Sequence, residues 1–149
     1  MPRNSMKKKR EIIRTKEVKE RIKRFLEIIK SKKDKKIKFI FLFGSALTSQ
    51  FNPLSDIDVC IYYDADKKER FKFLISLKGM LPKGYDVHIF QDLPLYIKKE
   101  VLKGAPVYFQ NLSFVHDVAY QTVREWEHFK HYYEDYITSL KPQLKRLLT

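Results

Sequence analysis

Five residues of this chain have types and spacing that could do chemistry together: Gly44, Ser45, Asp56, Asp58 and Asp86. Asp56 and Asp58 stand two apart in Asp-Ile-Asp-Val-Cys-Ile-Tyr-Tyr (56–63), a run that reads as a strand. Side chains alternate across a strand, so both carboxylates share one face while Ile57, Val59 and Ile61 point the other way. Two ionised carboxylates held side by side are costly unless a cation compensates them. Their oxygens are the ligands that hard Mg²⁺ prefers. Asp86 lies in a further short apolar run, Tyr-Asp-Val-His-Ile-Phe (85–90), and could complete a two-metal site. Such sites hold ions roughly 3.5–4 Å apart and steady the attacking and leaving oxygens of phosphoryl transfer. Gly44-Ser45 offers the other half of the chemistry. Without a Cβ, glycine lets backbone approach a ligand, and N–H groups at such a turn, with the Ser45 hydroxyl, can cradle phosphate oxygens. Phosphoryl transfer asks mainly for positioning and charge neutralisation, which these parts can supply.

The surrounding pattern says which elements would hold these residues. Residues 6–33 read as a helix, with Val18, Ile22, Phe25 and Ile29 on one stripe. Ile-Lys-Phe-Ile-Phe-Leu-Phe (37–43) is a strand buried on both faces that ends at Gly44-Ser45. Asp66 can cap a helix over about 67–80, with Phe71, Leu74, Ile75 and Leu77 as its buried side. Pro82-Lys83-Gly84 turns the chain into the strand at 85–90, where Asp86 and His88 share a face. Asp92 can cap a short helix to about 102, followed by a small strand at Pro106–Phe109. Ser113 can cap a last helix to about Leu140, which Pro142 is expected to stop. Along it Val115, Ala119, Thr122, Trp126, Phe129, Tyr133, Tyr136 and Leu140 form an aromatic heptad seam, expected to pack on the core, against the N-terminal helix, or on a partner. Strands alternating with helices argue for a compact α/β or α+β fold. Three regions follow: a basic helical arm at 1–36, a core at 37–110 and a C-terminal amphipathic helix at 111–149.

Composition narrows the classes. The net charge of +13 is concentrated in residues 1–38, which carry a net +12. Such an arm is either a solvated lysine-rich helix or a contact for RNA and other polyanions. No apolar run is long enough to span a bilayer, and the basic start runs into charged residues where a secretory signal would be apolar. One cysteine, Cys60, excludes an internal disulfide and a cysteine-built zinc cluster, so a reducing cytoplasm is the expected location. Packing is the expected task of Cys60, and His88 is expected to be a neighbour of the site that makes its own hydrogen bond.

Gly44-Ser45, ten residues and then Asp56-Ile57-Asp58 resembles the G-S-x10-D-x-D signature of minimal nucleotidyltransferases of the DNA polymerase beta-like superfamily. The resemblance covers residues 37–109, including Asp86 and the run Leu102-Lys103-Gly104-Ala105-Pro106-Val107-Tyr108. It implies the small nucleotidyltransferase fold, a short mixed sheet with flanking helices. It also implies that Asp56 and Asp58 bind two Mg²⁺ ions, that Asp86 shares in metal binding and activates the acceptor hydroxyl, and that Gly44 and Ser45 hold the triphosphate. Members of this kind include antitoxins paired with HEPN toxins, which implies AMP transfer from ATP to a toxin tyrosine. One stretch departs from the pattern: Thr48-Ser49 stands where many members have Arg-Gly, and a missing cation weakens phosphate binding.

Arg124 and His131 loosely resemble the paired Arg and His of HEPN ribonucleases, but that fold needs a helical bundle and this chain has one helix after its α/β unit. The expected function is therefore a Mg²⁺-dependent nucleotidyltransferase with a protein acceptor. The alternative is a decayed binding module that contacts a protein or RNA through the basic arm. Nucleotide addition to RNA ends or to a small molecule is a further reading, disfavoured by the short chain. The long seam leaves homo-oligomerisation open.

Overall fold

The computed structural model describes residues 16–47 and 55–148, without the side chains of Ser45 and Ala46. Thr48, Ser49 and the predicted helical residues 6–15 lie outside the described residues. In chain order the elements are α1 (Lys16–Lys32), β1 (Ile37–Phe43), a 3-10 turn (Gly44–Leu47), β2 (Ile57–Tyr63), α2 (Lys67–Met80), β3 (Tyr85–Ile89), a second 3-10 turn (Phe90–Asp92), α3 (Leu95–Leu102), β4 (Ala105–Phe109) and α4 (Leu112–Leu148). The sheet has the order β3-β2-β1-β4. β1 runs antiparallel to β2 and β4, and β2 runs parallel to β3 through the crossover helix α2. This is the mixed sheet with flanking helices expected of the small nucleotidyltransferase fold.

Alternation along the strands divides the interior in two. One face carries Ile40, Leu42, Ile57, Val59, Ile61, Val87 and Ile89, packed against Phe25 and Ile29 of α1 and Phe73 and Leu77 of α2. The opposite face carries Phe39, Phe41 and Cys60, which meet Phe90, Val101 of α3 and Val115 of α4. The α1 stripe behaves as its spacing predicts, with Val18, Phe25 and Ile29 buried. Asp66 caps α2 by accepting from the Glu69 N–H at 2.8 Å.

Several expectations need correction. In α2 the buried residues are Phe73 and Leu77, whereas Phe71 and Ile75 are 64% and 56% exposed. Two apolar stripes compete on that helix, and the sheet takes the one that reaches Tyr63, whose ring stacks on Phe73 at 4.0 Å. Asp92 does not cap α3. Its carboxylate accepts from the Arg70 guanidinium, with Nη2 to Oδ1 at 2.8 Å, and Pro94 occupies the cap position. At the start of α4, Asn111 Oδ1 accepts the Ser113 N–H at 2.9 Å, so Asn111, and not Ser113, supplies the cap. Pro142 does not end α4, which continues to Leu148. Proline removes one helical donor, but Gln143-Leu144-Lys145-Arg146-Leu147-Leu148 is rich in strong helix formers that carry the helix on. Among the described residues the seam packs chiefly on α3 and the sheet face beside it, and its N-terminal half is the covered part: Val115 and Thr122 are buried while Phe129, Tyr133 and Tyr136 are exposed.

Candidate active site

β1 ends at Phe43 directly opposite Asp58 of β2, so the Gly44 turn and the first carboxylate are neighbours by register. The parallel pairing of β2 with β3 then sets Asp58 opposite Asp86 and Cys60 opposite His88. All lie on the sheet face shared with α3 and α4, but those helices cover the Cys60 end and leave Asp58, Asp86 and His88 partly open to solvent. The pleat is what makes this possible. Val87 and Ile89 fill the opposite core, which forces Asp86 and His88 outward together.

One ligating atom from each of Asp58, Asp86 and His88 lies within 4.8 Å of the others. His88 Nε2 stands 3.1 Å from Asp86 Oδ2, and its ring packs on Phe43 with centroids 5.7 Å apart. Asp56 sits just before β2, exposed, and its donor atoms are not part of this group. Its charge still reaches Asp58. Burial pushes the Asp58 carboxyl up to about 6, helped by the negative charge of Asp86, a hydrogen bond with Asp86 and the charge of Asp56, and opposed by His88. Two carboxylates this close repel each other, and a cation between them relieves that repulsion. The donor set of carboxylate oxygens and an imidazole fits a divalent metal.

Gly44 has φ +74, a conformation that side chains rarely tolerate, and a Cβ built on it would collide with Asp58 Oδ2. Glycine is therefore required here twice, for the backbone turn and for the approach of the carboxylate. The Ser45 side chain lies outside the described residues. Burial pushes the Cys60 thiol far above its ordinary range, so it stays a protonated packing residue.

The sequence reading missed Arg21. This half-buried side chain of α1 donates from Nη1 to the Ser55 carbonyl at 3.0 Å and from Nη2 to the Gly84 carbonyl at 2.5 Å. Ser55 and Gly84 precede the two strands that carry the carboxylates, and the Ile57 N–H donates to the same Gly84 carbonyl at 2.9 Å. The guanidinium thus ties together the starts of β2 and β3. Tyr85 completes the link by donating from its hydroxyl to the Arg21 carbonyl at 2.7 Å. Arg21→Ala should lower stability by about 2 kcal/mol, the scale of charged hydrogen bonds to a part-buried backbone. Thermal melts check this, with Arg21→Lys recovering only part of the loss because lysine lacks the fork.

The raised Asp58 carboxyl gives a second measurable consequence. Its folded-state value lies above its ordinary 3.8, so the metal-free folded chain binds more protons than the unfolded chain between that value and about 6. Stability from this group is fully present below 3.8 and is lost as pH rises through 6. Asp58→Asn should therefore stabilise the metal-free protein at pH 7.5 by about 1 kcal/mol, discounted for the solvent that reaches the group, and should change little at pH 3.5. Denaturant titrations at the two pH values measure the difference.

Comparison with known proteins adds to the geometry. A family model described as Polymerase beta, Nucleotidyltransferase matches residues 20–112, more than half of the chain. A Methanocaldococcus jannaschii protein with the provisional name protein adenylyltransferase is 39% identical over 70 residues, 47% of this chain. The match covers 53% of that protein, so the chain spans about half the length of the curated relative. Among solved structures, a chain of the toxin–antitoxin MntA-HepT has a TM-score of 0.60 at 16% identity, over 82% of this chain and 97% of that one. A chain from the complex of tri-AMPylated Shewanella oneidensis HEPN toxin with MNT antitoxin gives 0.60 at 19% identity, over 80% and 98%. A chain of a toxin–antitoxin with AMP-PNP gives 0.61 at 18%, over 81% and 96%. At these identities the likeness is one of fold.

Proposed function

Because this chain belongs to the polymerase beta nucleotidyltransferase family, we propose that it transfers AMP from ATP to a hydroxyl of a partner protein, a tyrosine of a HEPN toxin, and so acts as an antitoxin. The observation that carries this reading is the register that sets Asp58 opposite Asp86 beside the Gly44 turn. In it, Asp58 and Asp86, joined by the exposed Asp56 just before β2, would hold two Mg²⁺ ions, whose charge would neutralise the α-phosphate and the departing pyrophosphate. The N–H groups of the Gly44–Leu47 turn, with Ser45, take the triphosphate oxygens. Asp86 orients the acceptor hydroxyl and accepts its proton as the new bond to α-phosphorus forms. The bond from α-phosphorus to the bridging oxygen breaks, and pyrophosphate leaves. Asp86 suits this task because its side chain is 48% exposed and so open to an acceptor from solvent.

The protein acceptor is favoured by two things: the provisional name of the Methanocaldococcus jannaschii relative and the AMPylated toxin in one structural neighbour. The uncovered outer half of α4 offers such a partner an apolar face. The test is incubation of the full chain with Mg²⁺, α-labelled ATP and the protein encoded beside it, followed by mass spectrometry of the acceptor. A mass gain of one AMP on a tyrosine is the expected result. Correctly folded protein that labels no acceptor with any nucleoside triphosphate defeats the reading.

The concentration of charge in residues 1–38 favours one second reading, contact with RNA. Because Val18, Phe25 and Ile29 are buried, a deletion that probes this must stop before Lys16. RNA affinity measured with and without residues 1–15 across salt concentrations decides it, since loss of phosphate contacts flattens the salt slope.

A further inference from the structure

We infer that His88 is a direct metal donor of this site and tilts its preference away from Mg²⁺ toward Mn²⁺ and Co²⁺. The inference rests on the proposed reading for the existence of the metal site, and goes beyond it in naming a nitrogen ligand.

The argument begins with position. His88 follows Asp86 by two residues on β3, so the pleat gives both the same face. Its pairing partner on β2 is Cys60, one pleat beyond Asp58, which places the imidazole over the pair of carboxylates. In an octahedral site with bonds of about 2.1 Å, adjacent donors are roughly 3 Å apart and opposite donors roughly 4 Å. The donor atoms of Asp58, Asp86 and His88 already lie within 4.8 Å of one another. Side-chain rotations within ordinary rotamer freedom would bring all three onto one ion.

Chemistry separates His88 from its neighbours. Asp56 is exposed and outside the group, so the third donor that the fold brings to Asp58 and Asp86 is a nitrogen. Mg²⁺ takes oxygen ligands almost exclusively, whereas imidazole binds increasingly well along the series from Mn²⁺ to Co²⁺. The ring is also held ready. Phe43 packs against it at 5.7 Å, and the side chain is 34% exposed, so it need not be drawn out of a core to reach a cation. The 3.1 Å contact with Asp86 Oδ2 holds the two ligands side by side before an ion arrives. A histidine that only oriented Asp86 would affect all cations alike, whereas a direct ligand affects them selectively.

The test uses the full chain and the metal ions alone. Binding of Mg²⁺, Mn²⁺ and Co²⁺ is measured by calorimetry for the wild type, His88→Asn, His88→Gln and Asp58→Asn, with thermal melts confirming that each variant is folded. Pulsed electron paramagnetic resonance of the Mn²⁺-loaded protein reads nitrogen coupling at the ion. The expected result is imidazole nitrogen modulation in the wild type that is absent from both His88 variants. Loss of the ligand should weaken Mn²⁺ and Co²⁺ about 10-fold or more, and Mg²⁺ less than about 3-fold. Absence of nitrogen coupling in the wild type overturns the inference, as does coupling that survives in the His88 variants or an equal loss for all three cations. These failures leave the proposed function standing if AMP transfer with Mg²⁺ is still observed. A wild type that binds none of the three cations also overturns the inference, and the labelling assay then decides the proposed function separately.

Discussion

Asp58→Asn should lower the rate of AMP transfer by about 10³-fold or more while leaving the protein folded and, without metal, more stable than the wild type above pH 7. The two halves of this result have one cause. Burial together with the facing Asp86 raises the Asp58 carboxyl to about 6. An asparagine of the same shape removes the repulsion, which favours folding, and on the proposed reading removes the negative oxygen that would hold a cation, with its benefit to the transferred phosphoryl group. Asp86→Asn should produce a loss of similar size, and the double variant should be little worse than either alone, because groups that act as a unit are not additive. Single-turnover assays with labelled ATP, beside denaturant melts of the same preparations, measure both halves. A variant that loses activity and stability together would mean that Asp58 is a structural residue.

The second large effect concerns a residue with no side chain. Gly44→Ala should slow transfer by about 10²-fold, since misplacing a reacting centre by about 1 Å costs on that order. The new methyl would collide with Asp58 Oδ2 and would sit on backbone at φ +74. Only the second of these penalties is intrinsic to the turn. Gly44→Ala should therefore destabilise the wild type by about 2 kcal/mol, but an Asp58→Ala background only by about 1 kcal/mol, the cost of left-handed backbone for a residue with a Cβ. A double-mutant cycle on thermal or denaturant stability reads the difference as coupling between the turn and the carboxylate. Equal costs in both backgrounds would show that the two do not touch.

The parts of this site that a sequence can reveal are those fixed by local rules. Alternation along β2 and β3 placed Asp58 and Asp86 on the face opposite Ile57, Val59 and Val87, and the core bears this out. The ends of β1, at Ile37 and Phe43, follow from an apolar run closed by glycine. Where two local patterns compete, only the tertiary partner decides. In α2 the pair Phe71 and Ile75 is as apolar as Phe73 and Leu77, yet the first pair is exposed because Tyr63 stands under the second. Long-range polar partners leave still less trace. Asp92 reads as a cap until Arg70, 22 residues earlier, claims its carboxylate. Arg21 looks like one of many charges on a basic helix, and its purpose is visible only through carbonyls 34 and 63 residues away. His88 was legible as a neighbour of the site with a polar contact of its own, which it makes with Asp86 at 3.1 Å; its convergence with Asp58 was not, since alternation gives a face and says nothing about which atoms meet there.

The crossover through α2 has one more consequence. Parallel neighbours cannot be joined by a tight hairpin, so the carboxylates of Asp58 and Asp86 are brought opposite each other only when the whole intervening helix has docked on its side of the sheet. A nascent or partly unfolded chain therefore has no competent centre at all. Reactivity in this molecule therefore waits on a tertiary event, the seating of one crossover, and not on any local turn.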